Sequence, residues 1–319
     1  MSIFWIALCL IGGTLMLYFG SEWLVRGAKG LALRLGVTPF VIGLTVLAFG
    51  SSAPECVTSI VSSSNPEIII GNVVGSNIAN IGLAIGLAAI VGPMAAVYKN
   101  MKLEICTMLI ASVGLCILAL LGYIGWLEGI VMIALLFLFL FVVFKKKGSD
   151  KEARESYEED VTEETLAPHW LVILVIIGLV LLYFGAKYFV EGAKELAQLM
   201  GVSELVIGLI VVAIGTSLPE ICISLIAARR GEADMAVANI VGSNIFNILF
   251  VLSVGSLFTD IPISESVLTF HLPVMLLFAV VMFLIVRFYN RIGRKTGVLF
   301  VGMYAAYIAV MGLIPSLMI

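Results

Sequence analysis

Charge is scarce in this chain. Only 12% of its 319 residues are Asp, Glu, Lys or Arg, where a soluble domain carries about 25%. With 61% hydrophobic residues and a mean hydropathy of +1.16, a water-soluble fold is excluded and the chain reads as an integral membrane protein. The net charge of −3 leaves no basic field for a nucleic-acid partner. Histidine is nearly missing, with two residues, and Cys9, Cys56, Cys106, Cys116 and Cys222 show no CxxC or Cys/His metal spacing. These cysteines read as small packing residues in apolar segments. The short alternating strands of a membrane barrel are also absent. No basic stretch precedes the first apolar run, whose first positive charge is Arg26, so that run is a retained helix rather than a signal peptide.

Long apolar stretches are what the chain does contain. A helix needs about 20 residues to cross the hydrocarbon. Stretches near that length lie at 3–24, 38–63, 68–93, 104–122, 126–144, 168–189, 203–228, 235–258, 267–286 and 297–317. The expected fold is all-α, with ten transmembrane helices: a first five-helix repeat over 1–144, a polar linker over 145–167, and a second repeat over 168–319. The linker mixes Lys145-Lys146-Lys147 with Glu158-Glu159-Asp160 and has no EF-hand spacing, so it reads as a solvated connector.

The repeats are legible directly. From Tyr18 to Glu55, against Tyr183 to Glu220, 21 of 38 positions are identical at an offset of 165. The match resumes at an offset of 167, with Asn72-Val73-Val74-Gly75-Ser76-Asn77-Ile78-Ala79-Asn80 against Asn239-Ile240-Val241-Gly242-Ser243-Asn244-Ile245-Phe246-Asn247. Five helices separate equivalent points, so the second copy must cross the membrane in the opposite sense. With the N-terminus outside, 16 of the 18 Lys and Arg residues fall on the inner side, and only Lys187 and Lys194 remain outside. The positive-inside rule therefore predicts both termini outside and a cytoplasmic linker, in the cell membrane.

Each copy carries a proline and a glutamate in mid-segment: Gly50-Ser51-Ser52-Ala53-Pro54-Glu55 and Gly215-Thr216-Ser217-Leu218-Pro219-Glu220. Proline lacks an N–H and clashes with the carbonyl four residues back, so both helices are predicted to kink or break there and to free carbonyls such as those of Ala48, Ser51, Ala213 and Thr216. Irregular backbone at membrane depth belongs where it faces protein or a watery cavity. Carbonyls, hydroxyls and carboxylates are hard oxygen donors of the kind Ca²⁺ and Na⁺ prefer. Helical spacing puts Ser52, Glu55 and Ser59 on one face, and Ser217, Glu220 and Ser224 on another. Asn72, Ser76 and Asn80 share a third face, and Asn239, Ser243 and Asn247 a fourth, so the four faces are expected to converge on one central site. Asn72, Asn77, Asn239 and Asn244 fit helix-to-helix hydrogen bonding and ligation equally well. Ser62, Ser63, Gly82 and Gly86 read as packing residues, Glu22 and Lys187 as helix-end residues that snorkel, Glu128 as the outer end of segment five, and His271 as a packed side chain. A carboxylate at the bilayer centre costs about 2.5–3.5 kcal/mol even on a lenient scale. Glu55 and Glu220, with no basic residue beside them, therefore call for a bound cation or a proton.

At these motifs the chain resembles the sodium/calcium exchanger family of the cation/Ca²⁺ exchanger superfamily, in its prokaryotic form without regulatory domains. The resemblance implies that Glu55, Glu220, Ser51 and Thr216 surround a central Ca²⁺ site. It implies one flanking Na⁺ site from the Ala213 carbonyl, Ser243 and Glu55, and another from the Ala48 carbonyl, Ser76 and Glu220. Ser52 and Ser217 are implied as further hydroxyl ligands, with Asn80 and Asn247 facing the middle. Two positions depart from the family pattern: Ser51 replaces the usual threonine, and Asn247 stands where potassium-dependent relatives, and some prokaryotic exchangers, carry aspartate, which argues against K⁺ dependence. The implied activity is that of an electrogenic antiporter that extrudes Ca²⁺ against Na⁺ by alternating access, the segments holding Gly20, Gly27, Gly185 and Gly192 sliding on a fixed core. Its partners are the two ions and the bilayer; no cofactor and no protein partner is implied. A Ca²⁺/H⁺ antiporter on the same fold is the alternative. A Ca²⁺ channel and an intramembrane lipid-phosphate hydrolase are further readings, though the hydrolase lacks an Arg or His beside the motifs.

Overall fold

The computed structural model describes residues 2–61, 66–147, 166–201 and 213–314. Most of the expected linker, Ser62 and Ser63, and the start of segment seven with Gly208-Leu209-Ile210-Val211-Val212 lie outside the described residues. Eight described helices are long and apolar enough to cross a membrane. The second and seventh expected spans are interrupted instead, in line with their mid-segment prolines.

The first helix, α1 (Ile3–Leu35), is 33 residues long. Ser2 caps it by accepting the Trp5 N–H, and Gly36 ends it in the left-handed region at φ 66°, where a glycine avoids the Cβ penalty. The second span runs as α2 (Pro39–Ile42), a π-helical stretch Gly43–Leu47, α3 (Ala48–Ser51) and α4 (Ala53–Val61). The third is α5 (Glu67–Ala79), a π segment Asn80–Ile85 and α6 (Gly86–Val91). Then come α7 (Tyr98–Ala119) and α8 (Trp126–Lys147). In the second half α9 (Pro168–Leu199) corresponds to α1. The helices α10 (Ala213–Thr216) and α11 (Leu218–Arg229) correspond to the broken span. The third span recurs as α12 (Ala233–Phe246), a π segment Asn247–Val251 and α13 (Leu252–Phe258). The chain closes with a π turn Val267–His271, α14 (Leu272–Tyr289) and α15 (Arg294–Leu313). Both π segments of the third-span helices begin at the motif asparagine, Asn80 or Asn247.

Burial sorts these helices into layers. The spans Glu67–Val91 and Ala233–Phe258 are 78% and 94% buried over their most apolar stretch, against 28% for α1, α8, α9 and α15. The two Asn/Ser helices are therefore the centre of the bundle. The outer helices turn residues such as Phe4, Ile11, Leu138, Phe141 and Ile176 outward, as lipid-facing helices must.

Two contacts tie the halves together at the loops. The two-residue strands β1 (Met94–Ala95) and β4 (Arg291–Ile292) pair antiparallel, as do β2 (Tyr123–Ile124) and β3 (Ile261–Pro262). In repeat terms Met94 matches Ile261, so these are one contact made twice. Hydropathy gives no sign of them, because each ladder spans only two residues.

Along the outside α1 and α9 pack antiparallel through a glycine seam. A Cβ on Gly13 would sit 2.9 Å from the Gly185 oxygen, one on Gly20 3.0 Å from the Gly178 oxygen, and one on Gly27 2.8 Å from the Leu171 oxygen. The spacing of seven residues keeps all three on one stripe. Gly20, Gly27, Gly185 and Gly192 thus do permit close helix contact, and Gly13 and Gly178 complete the seam.

Helix lengths differ from the expectation drawn from hydropathy. Both α1 and α9 continue about 10 residues beyond their apolar stretches, because hydropathy marks the hydrocarbon and not the end of the helix. Glu22 therefore lies inside α1 rather than at a helix end. It does not snorkel; Arg230 binds it, with Nε donating to Oε2 at 3.0 Å and Nη2 facing Oε1. A second ion pair joins Lys29 to Glu232 at the same end of the molecule. Glu128 lies in the first turn of α8 and accepts the Gly125 N–H at 3.0 Å. His271 is fully buried, with Nδ1 2.9 Å from the Tyr307 hydroxyl, as a packed side chain should be.

Candidate functional site

Both proline motifs break their helices one residue after the first hydroxyl residue. Ser52 has φ −84°, ψ 4° and Ser217 has φ −92°, ψ 6°, neither of them helical. The Ser217 N–H bonds the Ile214 carbonyl at 3.1 Å, three residues back. The Ser52 N–H still reaches the Ala48 carbonyl at 3.1 Å, and Ser51 Oγ donates to the same oxygen at 3.3 Å. The expected release thus does not occur at Ala48. The physical reason is local: proline deletes its own N–H, while whether the turn before it tightens to an i−3 bond depends on packing.

Glu55 and Glu220 begin the helices that follow the breaks, α4 and α11, and are 1% and 0% exposed. All four carboxylate oxygens lack a hydrogen-bond partner, and among the described residues no ion pair involves either side chain. The two carboxylates lie within electrostatic reach of each other. The hydroxyls of Ser51 and Ser52, from the first repeat, face the Glu220 carboxylate of the second, outside standard hydrogen-bond geometry. Ser51 Oγ is 3.4 Å from Ser243 Oγ. Ser52, Ser76 and Ser217 are buried with unpartnered Oγ atoms, and Thr216 is half-buried at the end of α10.

Four asparagines order the centre. Asn77 Nδ2 donates to the Asn244 backbone carbonyl and Asn244 Nδ2 to that of Asn77, both at 3.3 Å. Asn80 Nδ2 donates to Asn244 Oδ1 at 3.0 Å, and Asn247 Nδ2 to Asn77 Oδ1 at 3.1 Å. Asn77 and Asn244 therefore belong to helix-to-helix bonding. Asn80 and Asn247 spend their donors on that network, and each keeps a buried, unpartnered Oδ1. An amide can turn either end inward; a network that takes up its donor leaves the oxygen as the inward end. The interaction is pseudo-symmetric to the atom and lies where the two central helices cross.

The residues expected from the motifs thus divide. Glu55 and Glu220 lie within electrostatic reach of each other, Ser51 and Ser52 face Glu220, and Ser51 meets Ser243, while Ser76, Ser217, Asn80 and Asn247 add buried, unpartnered oxygens from the same motifs. Of the asparagines that motif reading left undecided, Asn77 and Asn244 are resolved as helix-to-helix donors. Their signal was the Asn-x-x-Asn spacing shared by both repeats, which places two amides on adjoining faces of a helix.

Two inverted broken helices that hold uncompensated carboxylates and oxygen donors inside an apolar bundle define a membrane cation transporter. A profile of the sodium/calcium exchanger protein family matches residues 5–145 and 170–313, and the chain belongs to that family. It is 32% identical to the sodium/calcium exchanger MaX1 of Methanosarcina acetivorans over 341 aligned positions, which cover 95% of this chain and 97% of that protein. It is 34% identical to the inner membrane protein YrbG of Escherichia coli, covering 95% of each. Its fold superposes on the sodium-calcium exchanger NCX_Mj with a TM-score of 0.84 at 35% identity, covering 97% of this chain and 99% of that one. The protein is a multi-pass membrane cation/Ca²⁺ exchanger, a transporter and not an enzyme, with ions as substrates and no cofactor expected.

Proposed function

We propose that the protein is an electrogenic Na⁺/Ca²⁺ antiporter of the cell membrane, extruding Ca²⁺ as Na⁺ enters. One observation carries this reading: two fully buried carboxylates, one from each repeat, lie within electrostatic reach of each other with all four of their oxygens unpartnered. Two negative charges match one divalent ion, and in its absence they must be neutralised by monovalent ions or protons. MaX1 and NCX_Mj, both named as sodium/calcium exchangers, favour Na⁺ over protons as the counter-ion.

In this reading Glu55, Glu220, Ser51 and Thr216 hold Ca²⁺, with Ser52 and Ser217 as further hydroxyl ligands. Na⁺ takes the Ala213 carbonyl with Ser243 and Glu55, or the Ala48 carbonyl with Ser76 and Glu220. Asn80 and Asn247 offer neutral oxygens between them, so K⁺ is not required. Residues 1–144 and 168–319 are the two inverted halves, joined by a cytoplasmic linker at 145–167, with both termini outside. Access alternates as α1 and α9 slide together along the core, and the glycine seam supports their moving as one unit. Since both ions share the same carboxylates, neither crosses without the other.

The test is ⁴⁵Ca uptake into proteoliposomes loaded with Na⁺, K⁺ or buffer at a different pH, with voltage clamped or free. Uptake that follows internal Na⁺ and responds to voltage is expected. Uptake driven equally well by a pH gradient alone would replace Na⁺ with H⁺ as the coupling ion, and flux indifferent to any trans ion would indicate a channel.

A further inference from the structure

One turn beyond the central motifs, each repeat has a second polar pair that the site above does not use. Ser59 follows Glu55 by four residues on α4, and Asn72 precedes Ser76 by four on α5. Ser224 and Asn239 hold the same places on α11 and α12. Helical geometry puts each pair on the face of the central oxygens, displaced toward the connection between its two helices. Ser59 and Asn72 therefore lie toward the connection between α4 and α5, and Ser224 and Asn239 toward Arg230 and Glu232.

These positions are built rather than incidental. Ser59, Ser224 and Asn239 are fully buried. Asn239 Oδ1 and Ser59 Oγ have no hydrogen-bond partner, and neither has Asn72 Nδ2. A buried polar atom without a partner costs about 1–3 kcal/mol. Keeping two amides and two hydroxyls in matching places of both repeats, with three of their polar atoms unsatisfied, calls for a ligand that visits them.

The pairs also differ in state. Asn239 Nδ2 donates to Ser224 Oγ at 3.4 Å, which closes that pair on itself. Asn72 and Ser59 make no such bond, and Asn72 is only half-buried. The pair toward Arg230 and Glu232 is thus closed on itself and the other is not. Under the proposed orientation the closed pair faces the cytoplasm.

We propose that Asn72 with Ser59, and Asn239 with Ser224, are two peripheral cation stations, one in each access path. A partly hydrated Na⁺ or Ca²⁺ would exchange water for these neutral oxygens before reaching the carboxylates. Neutrality suits the task, since a third acid would hold the ion instead of passing it on. In the closed pair Asn239 Nδ2 occupies the Ser224 hydroxyl and leaves Asn239 Oδ1 as the free oxygen of that station. This inference rests on the exchanger reading above and adds the route by which ions reach that site.

The experiment compares Asn239→Leu and Ser224→Ala with Asn72→Leu and Ser59→Ala in the full-length protein. Na⁺-driven ⁴⁵Ca exchange is measured in membrane vesicles of both orientations, and ⁴⁵Ca binding at equilibrium in detergent. Loss of one hydrogen-bonding oxygen corresponds to roughly a tenfold change. The first two variants should raise the KM for Ca²⁺ presented at the cytoplasmic face by about that factor, and the last two the KM at the outer face. Equilibrium binding should stay within about twofold of wild type, because a station alters the path and not the central site. Asn239→Ser, which keeps an oxygen at that place, should recover most of the loss; should Asn239→Leu not fold, Ser224→Ala and Asn239→Ser carry the inner-face comparison. Equal KM changes at both faces, or weakened equilibrium binding, would overturn the stations and make these residues central ligands or packing groups. Absence of Na⁺-driven exchange in wild type would overturn the exchanger reading itself, a distinct result.

Discussion

Arg230, from the turn between α11 and α12, grips Glu22 in the middle of α1 through two of its nitrogens. The positions that match them in the other repeats are Lys187 for Glu22 and Ser63 for Arg230, residue types that form no ion pair. This contact between an outer helix and the core thus has no charged counterpart in sequence. It favours the present arrangement over one in which the repeats exchange roles.

Neutralising the pair should loosen that end of the molecule. Both side chains are partly exposed, at 39% and 25%, so screening limits the effect to about 0.5–1 kcal/mol, or roughly 2–5-fold in a two-state equilibrium. Glu22→Gln or Arg230→Gln should speed backbone hydrogen exchange around Arg229 to Glu232 by that factor. The swap Glu22→Arg with Arg230→Glu should restore it, and 1 M salt should mask the difference. Unchanged exchange in both single variants would show the contact to be energetically idle.

Glu55→Gln and Glu220→Gln should each abolish Ca²⁺ transport, because one carboxylate does not match a divalent ion where no other anion stands by. The same changes should make the cation-free protein harder to melt, since each removes an uncompensated buried charge. They should also erase the rise in melting temperature that Ca²⁺ gives wild type by mass action. Near-normal uptake in either variant would take that residue out of the central site.

Asn247→Asp puts an acid at a position that the proposed function sets beside Glu55 and Glu220, and deletes the donor that Asn77 Oδ1 accepts at 3.1 Å. Losing that bond should lower stability by about 1–3 kcal/mol. The variant should still exchange Na⁺ for Ca²⁺, with stronger pH dependence or new K⁺ sensitivity, while wild type responds to neither added nor omitted K⁺. If the variant's pH and K⁺ responses match wild type, or if wild type needs K⁺, Asn247 does not face the ion path.

The glycine seam makes a paired prediction. A methyl group on Gly13 would meet Phe189 N at 2.7 Å, whereas one on Gly12 meets nothing within 4 Å. Gly13→Ala should therefore force α1 and α9 apart and destabilise by about 1–3 kcal/mol. Gly12→Ala should stabilise by up to about 1 kcal/mol through helix propensity. Thermal unfolding in detergent reads both, and equal shifts would argue against tight packing at this seam.

Much of this protein was legible before any fold was seen. Membrane insertion, the duplication, its inversion and the two mid-segment glutamates follow from composition and from residues near one another in the chain. Apolar surface and proline chemistry act locally, so one dimension is enough to read them. The breaks at Ser52 and Ser217 fell where the prolines required, but the Ala48 carbonyl kept its donor, which proline alone did not foretell. Helix ends escaped hydropathy, and with them the position of Glu22.

Only the tertiary structure decided which groups meet. Asn77 and Asn244 are 167 positions apart, and their reciprocal bonds orient Asn80 and Asn247 oxygen-first. Ser51 meets Ser243 from the other repeat. An amide or hydroxyl carries no mark of its partner in the sequence; its direction is set when two buried helices cross and every donor must find an acceptor. The chain alone determined that two carboxylates lie within a membrane, and the packing of its two halves decided that they come within electrostatic reach of each other.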